Sequence, residues 1–379
     1  MKNKKIIAFL LAFVMILSAC SQVNSIINND SEKARDEYIQ KSENLKEKEN
    51  PDLTIENKNG NFIDNGKSDE ENEDQEMSDK SDSQSNQGTK EIKIKATGDI
   101  LYHGSLIRYG KAVANGEGYD FTRHYELVKD FLSDADITIG NFEGSSNDNN
   151  APSSYPMFNT PSDLFDTLKD VGFDVLTTAN NHALDSMYGG VETTIDAINS
   201  RGIQNVGTQM APNDRVKYID KDGIKVAFMA FTTTLNGLDP LLDTEEKKAT
   251  VNFFDQELMK KDIETAKENN ADIIVAYPHW GDEYQSYPNQ QQIDLSRKMV
   301  ELGVDLVIGN HPHVVEPAGW YEAANGNKGY IAYALGNFIS NQRLETLDDI
   351  RTEHGVVLEI DVVKDFDSGE TEVKNVVAH

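Results

Sequence analysis

Four of the eight histidines, at 182, 279, 311 and 313, stand in short polar clusters beside Asn, Asp or Glu. Those clusters are Asp99, Asn141 with Glu143, Asn180-Asn181-His182, His279, His311 with His313, and Asn337. Imidazole, carboxylate and amide oxygen without thiolate form a donor set suited to Mn, Fe, Zn or a mixed pair of divalent ions. Two such ions about 3.5–4 Å apart share a bridging water or hydroxide, lower its pKa and clamp an oxyanion during attack. The competing reading is that these buried groups satisfy one another by hydrogen bonds alone. With a single cysteine in the chain there is neither an internal disulfide framework nor a thiolate cluster.

Such groups need elements that bring them together. From about Glu91 short β-branched runs alternate with helical stretches, the pattern of an α/β fold. The pattern predicts strands at 91–98, 136–140, 174–178, 272–276, 305–308, 330–335, 356–362 and 372–377. A hairpin is expected over 217–232, turning at Lys221-Asp222-Gly223. Helices are expected over 121–133, 161–171, 191–200, 255–269 and 289–302, and no internal repeat is evident. Each polar cluster falls just past the end of an apolar strand. In open α/β sheets ligands bind at the carboxyl ends of strands, so clusters at successive ends predict one convergent site. Asn180-Asn181 read simply as a turn, and Gly-Asn pairs as strand terminators, are the plainer alternatives. His124 and His379 are expected in solvent, and 155–161 as a packed cover over the sheet edge.

The first ninety residues have another character. Lys2, Lys4 and Lys5 precede the apolar run Ile6–Leu17, which is short for a membrane span but suits a signal-peptide core. The run ends in Leu17-Ser18-Ala19-Cys20, which resembles a bacterial lipobox, so residues 1–20 are expected as a lipoprotein signal and Cys20 as the lipidated residue. That places the chain on the extracytoplasmic face of the cell membrane, held by a lipid anchor. Residues 21–89 are rich in Lys, Glu, Asp, Asn, Ser and Gln, and read as a disordered acidic tether, with one helical piece possible at 32–49. The folded part is expected over 90–379. A net charge of -29 argues against nucleic acid as a partner.

The order GDI (98–100), NFE (141–143), ANNHALD (179–185), HWGDEY (279–284), GNHPHV (309–314) and ALGNF (334–338) resembles the CapA-type poly-γ-glutamate capsule-synthesis proteins, relatives of calcineurin-like metallophosphoesterases. The resemblance runs from about Ile92 to Val362. It implies a four-layer α/β/β/α sandwich and two divalent metals. By position it implies Asp99 on one metal, Glu143 bridging, and Asn181, His279 and His311 on the second, with His313 on the first. It makes His182 the acid for the leaving group, oriented by Asp185. It implies Asn141, Trp280, Glu283, Asn337, Gln342 and Arg351 as pocket residues, with the Arg351 fork suited to a carboxylate or phosphate.

Two departures stand out. The superfamily usually opens with Asp-x-His, whereas here a histidine follows Asp99 only at 103, so His103 either swings in as a ligand or lines the entrance. Glu143 replaces a bridging Asp and lengthens that arm by one methylene. The resulting expectation is a surface protein acting in synthesis, export or attachment of an anionic polymer. It would hydrolyse a small phosphoester or γ-glutamyl bond, with a membrane synthase as a possible partner. The alternative is a non-catalytic scaffold that holds the polymer or the synthase.

Overall fold

The computed structural model describes residues 88–379 except residue 116. The expected signal segment, Cys20, the helical piece at 32–49 and all but the last two residues of the expected tether lie outside the described residues.

Strands β1 (Thr89–Ile100), β2 (Ile137–Phe142), β3 (Val175–Thr177) and β4 (Gln204–Val206) run parallel, side by side. The chain then builds a second sheet from β5 (Lys217–Lys221), β6 (Ile224–Thr232), β7 (Ile273–His279), β8 (Leu306–Ile308), β9 (Ala318–Glu322) and β10 (Lys328–Ala332), in the order β5-β6-β7-β8-β10-β9. It returns to the first sheet with β11 (Asn337–Ile339) beside the end of β1, then β12 (Leu358–Asp365) and β13 (Thr371–Ala378), giving β13-β12-β1-β2-β3-β4. The main helices are α1 (Gly104–Val113), α2 (Asp163–Val171), α3 (Met187–Asn199), α4 (Gln256–Glu268) and α5 (Gln290–Glu301).

The two-residue period of the strands assigns the layers. Ile92, Ile94 and Ala96 of β1 meet Val226, Phe228 and Ala230 of β6 and Val275 and Tyr277 of β7 in one core between the sheets. The alternate residues, Ala227, Met229 and Ile274, face Met259 and Ile263 of α4 and Met299 of α5. Across the molecule Phe142 and Leu176 pack on Ile107 of α1, Leu164, Phe165 and Leu168 of α2, and Ile198 of α3. Helix, sheet, sheet and helix therefore stack as the expected four-layer α/β/β/α sandwich.

Four aspartates repeat one device. Asp136, Asp174, Asp272 and Asp305 each precede a parallel strand, and their carboxylates accept the backbone N–H of Lys93, Thr138, Lys225 and Ile274 at 2.9, 3.1, 2.7 and 2.8 Å. Each aspartate's own N–H returns to the carbonyl of the same neighbour. Each pair of bonds pins the start of one parallel strand against the next, at a point where the ladder would otherwise leave donors open.

Helices α4 and α5 coincide with expectation because they carry local caps. The Asp255 side chain accepts from the N–H of Glu257 and Leu258, and Asn289 with Gln292 forms a capping box. The helix expected over 121–133 is not formed as one piece. A 3-10 turn at Thr122–His124 is followed by a short helix at Lys129–Ser133. Asp120 accepts from both the N–H and the hydroxyl of Thr122, a turn that competes with helix, while Phe121, Tyr125 and Leu132 are buried together with α1 and α2. Helix α1 and strands β4, β9 and β11 arise where no strong periodic signal stood. Among the described residues no helix is long and apolar enough to cross a membrane.

Candidate metal centre

The carboxyl ends of both sheets meet at one place. Asp99, at the end of β1, is in register with Asn141 on β2 and with Asn337 on β11. Gly98 permits this approach: a Cβ there would stand 1.9 Å from the carbonyl oxygen of Gly336. From the second sheet, β7 ends on His279, which bridges to Asn310 after β8. His311 and His313 then follow with φ of 104° and 59°. A positive φ is costly for residues bearing side chains and persists only where surrounding contacts hold it, commonly at functional sites. Gly309 is a second close approach, its missing Cβ lying 1.9 Å from the Tyr333 carbonyl oxygen.

These ends bring together Asp99, Glu143, Asn181, His182, Asp185, His279, His311 and His313, all buried. Donor atoms of Glu143, His279 and His311 lie within 4.8 Å of one another, and so do those of Asp99, Glu143 and His313. Glu143 belongs to both groups. Its Oε1 is 3.8 Å from His279 Nε2 and 3.7 Å from His313 Nε2. His279 Nε2 also faces Asn181 Oδ1 at 3.0 Å and His311 Nδ1 at 3.1 Å. His313 Nδ1 is 3.3 Å from Asp99 Oδ2. Beside this cluster His182 Nδ1 meets Asp185 Oδ2 at 2.7 Å, while its Nε2 looks toward Glu143 Oε1 at 4.0 Å.

Both carboxylate oxygens of Glu143 are buried without a hydrogen-bond partner. A buried carboxylate left this way is costly unless a cation or a proton completes it. Burial pushes the Glu143 carboxyl well above the ordinary carboxylate range, with Asp99 adding to the effect and His313 opposing it. His279 is held well below the usual histidine range by burial and by His311 and His313, and burial takes His311 down to about 4. For His313 burial is outweighed by Glu143 and Asp99, which raise it to about 10. The cluster is rich in donor atoms and poor in positive charge. Oxygen and imidazole donors of this kind could hold divalent metal, and Glu143 is common to the two groups of donors.

The remaining expected site residues fall into distinct places. Asn141 donates from Nδ2 to Asp99 Oδ1 at 2.8 Å and lies 3.3 Å from His279 Nδ1, with its own Oδ1 accepting from Thr177. Trp280 is fully buried in the layer between the second sheet and α4 and α5, and its indole N–H donates to the Tyr333 carbonyl. Asn337 Oδ1 faces His313 Nδ1 at 3.1 Å, and Gln342 joins Asn337 to the Tyr284 hydroxyl. Glu283 is exposed and close enough to raise the affinity of His311 and His313 for protons. The Arg351 fork grips Asp349 through Nε and a terminal nitrogen and reaches Ser286 and the Tyr284 carbonyl. His103 accepts the N–H of Asn341 on Nδ1 at 3.2 Å, and burial lowers it to about 4. Among other histidines, His124 is half buried beside Tyr102 and Tyr109 rather than free in solvent.

Phe158 and Tyr284 were not singled out by sequence. Phe158, within the expected cover segment, is fully buried with its ring edge-on to both His103 and His182, at 5.2 and 4.7 Å. Its N–H donates to Asp185 Oδ2 at 2.6 Å. Tyr284, at φ 63°, donates its N–H to the Pro312 carbonyl, between His311 and His313. The motif HWGDEY contained Tyr284, but only its contact with the later loop reveals a role.

The family described as "Bacterial capsule synthesis protein PGA_cap" matches residues 93–342. The capsule biosynthesis protein CapA of Bacillus anthracis is 29% identical over 261 residues, 66% of this chain and 60% of its own length. The PGA biosynthesis protein CapA of Bacillus subtilis (strain 168) is 31% identical over 265 residues, 66% of each chain. The match thus spans somewhat less than two thirds of those relatives. A solved structure described as calcineurin-like phosphoesterase YfkN from Bacillus subtilis is 17% identical, with a TM-score of 0.40, over 77% of this chain and 90% of its own. A score of that size adds nothing to the layer order and site geometry above. The matched stretch begins within β1, ends at Gln342 and contains every residue of the buried donor cluster, and on that match this chain belongs to the bacterial capsule synthesis protein family PGA_cap.

Proposed function

We propose that this chain is a lipid-anchored protein of the extracytoplasmic face that acts in synthesis, export or attachment of an anionic polymer of the poly-γ-glutamate type. We assign that action to a hydrolase-like centre holding two divalent ions. The observation that carries the centre is Glu143, a buried carboxylate with neither oxygen hydrogen-bonded that belongs to two adjoining donor groups. The polymer is supported by the named roles of the Bacillus relatives, and the anchor by the sequence around Cys20.

In this reading Asp99, Glu143 and His313 hold one ion, and Glu143, Asn181, His279 and His311 the other. Mn, Fe and Zn all suit these donors. Bound there, the pair supplies an activated water and a positive clamp for an oxyanion. The protein's own part is to exclude bulk water and to hold a proton at a fixed atom. Asp185 takes up His182 Nδ1, which leaves Nε2 as the nitrogen that, in the protonated imidazolium, would pass its proton to a leaving group. Asn141 holds Asp99 in place, and Glu283 and Tyr284 stand at the outer edge where a phosphoester or γ-glutamyl group would enter.

A non-catalytic scaffold for the polymer or its synthase is favoured by one observation. The position two residues after Asp99 is Leu101, buried and apolar, and His103 already accepts the Asn341 N–H. Elemental analysis of the full chain, beside an Asn181→Ala/His313→Ala double variant, decides the metal question. Near two ions per chain, lost in the variant, is the expected result. A folded, metal-free protein after exposure to Mn, Fe and Zn would remove the hydrolase mechanism. Turnover of a chromogenic phosphodiester or of γ-glutamyl peptides by wild type and not by His182→Ala would then exclude the scaffold alone.

A further inference from the structure

The orientation of Asn337 follows from its neighbours. Its Nδ2 faces three acceptors, the carbonyls of His313 at 3.3 Å and Thr352 at 3.0 Å and the Gln342 Oε1 at 2.9 Å. An amide turned the other way would press its oxygen against two backbone carbonyls, so Oδ1 is the atom that faces His313 Nδ1. An acceptor at 3.1 Å, joined by Asp99 Oδ2 at 3.3 Å, requires that Nδ1 bear the proton. The lone pair left for ligation is then on Nε2, the nitrogen 3.7 Å from Glu143. Gln342 in turn donates through Nε2 to the Tyr284 hydroxyl at 3.2 Å, and Tyr284 donates its N–H to the carbonyl of Pro312. The chain from Tyr284 through Gln342 and Asn337 thus closes back on the loop that carries His313.

We propose that Asn337 is a positioning residue that commits His313 to bind metal through Nε2, with Gln342 and Tyr284 holding the Asn337 amide in the orientation that does so. This rests on the metal-centre reading above. Outer partners of this sort fix the tautomer and ring angle of a ligating imidazole and typically alter metal affinity 10–100-fold when removed. Asn337 therefore acts on the centre through His313, whereas the resemblance had implied a place in the pocket.

The test uses zinc as a diamagnetic probe on the full chain with 15N-labelled histidine. In wild type, long-range proton–nitrogen correlation should show His313 with a protonated Nδ1 and a zinc-shifted Nε2. Asn337→Leu should weaken zinc binding by roughly 10–100-fold and shift the Nδ1 proton signal, since Asp99 Oδ2 is then its remaining acceptor. Because that variant also removes bonds to two backbone carbonyls, Gln342→Leu is measured beside it. It leaves those bonds in place and should show a smaller loss in the same direction. Zinc on His313 Nδ1, or unchanged affinity and spectrum in Gln342→Leu or a folded Asn337→Leu, would overturn the inference and leave the metal centre standing. A wild-type chain that binds no zinc, manganese or iron would instead overturn the metal centre, and this inference with it.

Discussion

His182 and Asp185 meet at 2.7 Å, Nδ1 to Oδ2, across a turn in which they stand three residues apart. The same oxygen receives the backbone N–H of Phe158 from a distant loop, while the other carboxylate oxygen is buried without a partner. One atom therefore fixes both the imidazole and the segment that covers it. Asp185→Asn, which keeps an acceptor, should preserve the fold and lower turnover less than His182→Ala. Loss of the general acid itself costs about 10²–10⁴-fold. Asp185→Ala strands the Phe158 N–H and should lower unfolding free energy by about 1–3 kcal/mol. Steady-state rates and urea titrations of the three variants test this, and equal rates in His182→Ala and wild type would remove His182 from the chemistry.

Glu143 belongs to both donor groups, whereas Asp99 belongs to one. Glu143→Ala should therefore empty both positions and Asp99→Ala only one, as read by elemental analysis after dialysis. A Glu143→Ala protein that still carries two ions would exclude the shared-ligand arrangement.

Gly98 leaves no room for a side chain, since a Cβ would stand 1.9 Å from the Gly336 carbonyl oxygen and the Asp99 N–H donates to that same oxygen at 3.0 Å. Gly98→Ala should push β1 away from the segment leading into β11. The expected cost is about 1–3 kcal/mol, as for other overpacked interiors, together with weaker metal retention. Thermal unfolding with and without added Mn separates the two effects, and an unchanged protein would refute the close approach.

Asp305 offers a pH test away from the centre. Burial, opposed by the Ile274 N–H, lifts its carboxyl from 3.8 to about 6. The native state therefore holds this proton more tightly than the unfolded chain. The resulting stability is present below about pH 4 and is lost as the pH rises through about 6. Asp305→Asn keeps an acceptor for Ile274 without the charge. It should match wild type near pH 4 and exceed it above pH 7, by no more than about 3 kcal/mol. A constant difference across that range would show that the carboxyl is not perturbed.

Much of the architecture was legible because it is locally encoded. The apolar runs after Asp136, Asp174, Asp272 and Asp305 are strands, and the aspartates that open them proved to be clamps on the neighbouring strand. Caps at Asp255 and Asn289 mark α4 and α5 in the chain itself. The segment 121–133 misled because its helical spacing reflects burial of Phe121, Tyr125 and Leu132 from a turn-rich path. Strands β4 and β11 are three residues each, too short to carry a period.

Sequence alone determined which residue types gather at strand ends, and with them the donor chemistry and the resemblance that the family match shares. Side-chain period and strand length are properties of neighbours in the chain, so they can be read there. Only the tertiary structure decided the partners. It joined Glu143 to histidines from both sides of the centre, set Trp280 into the core, closed Arg351 on Asp349, and turned Asn337 toward His313. Those relations link residues up to 170 positions apart, and hydrogen-bond direction and burial depend on where the two sheets meet rather than on any local pattern.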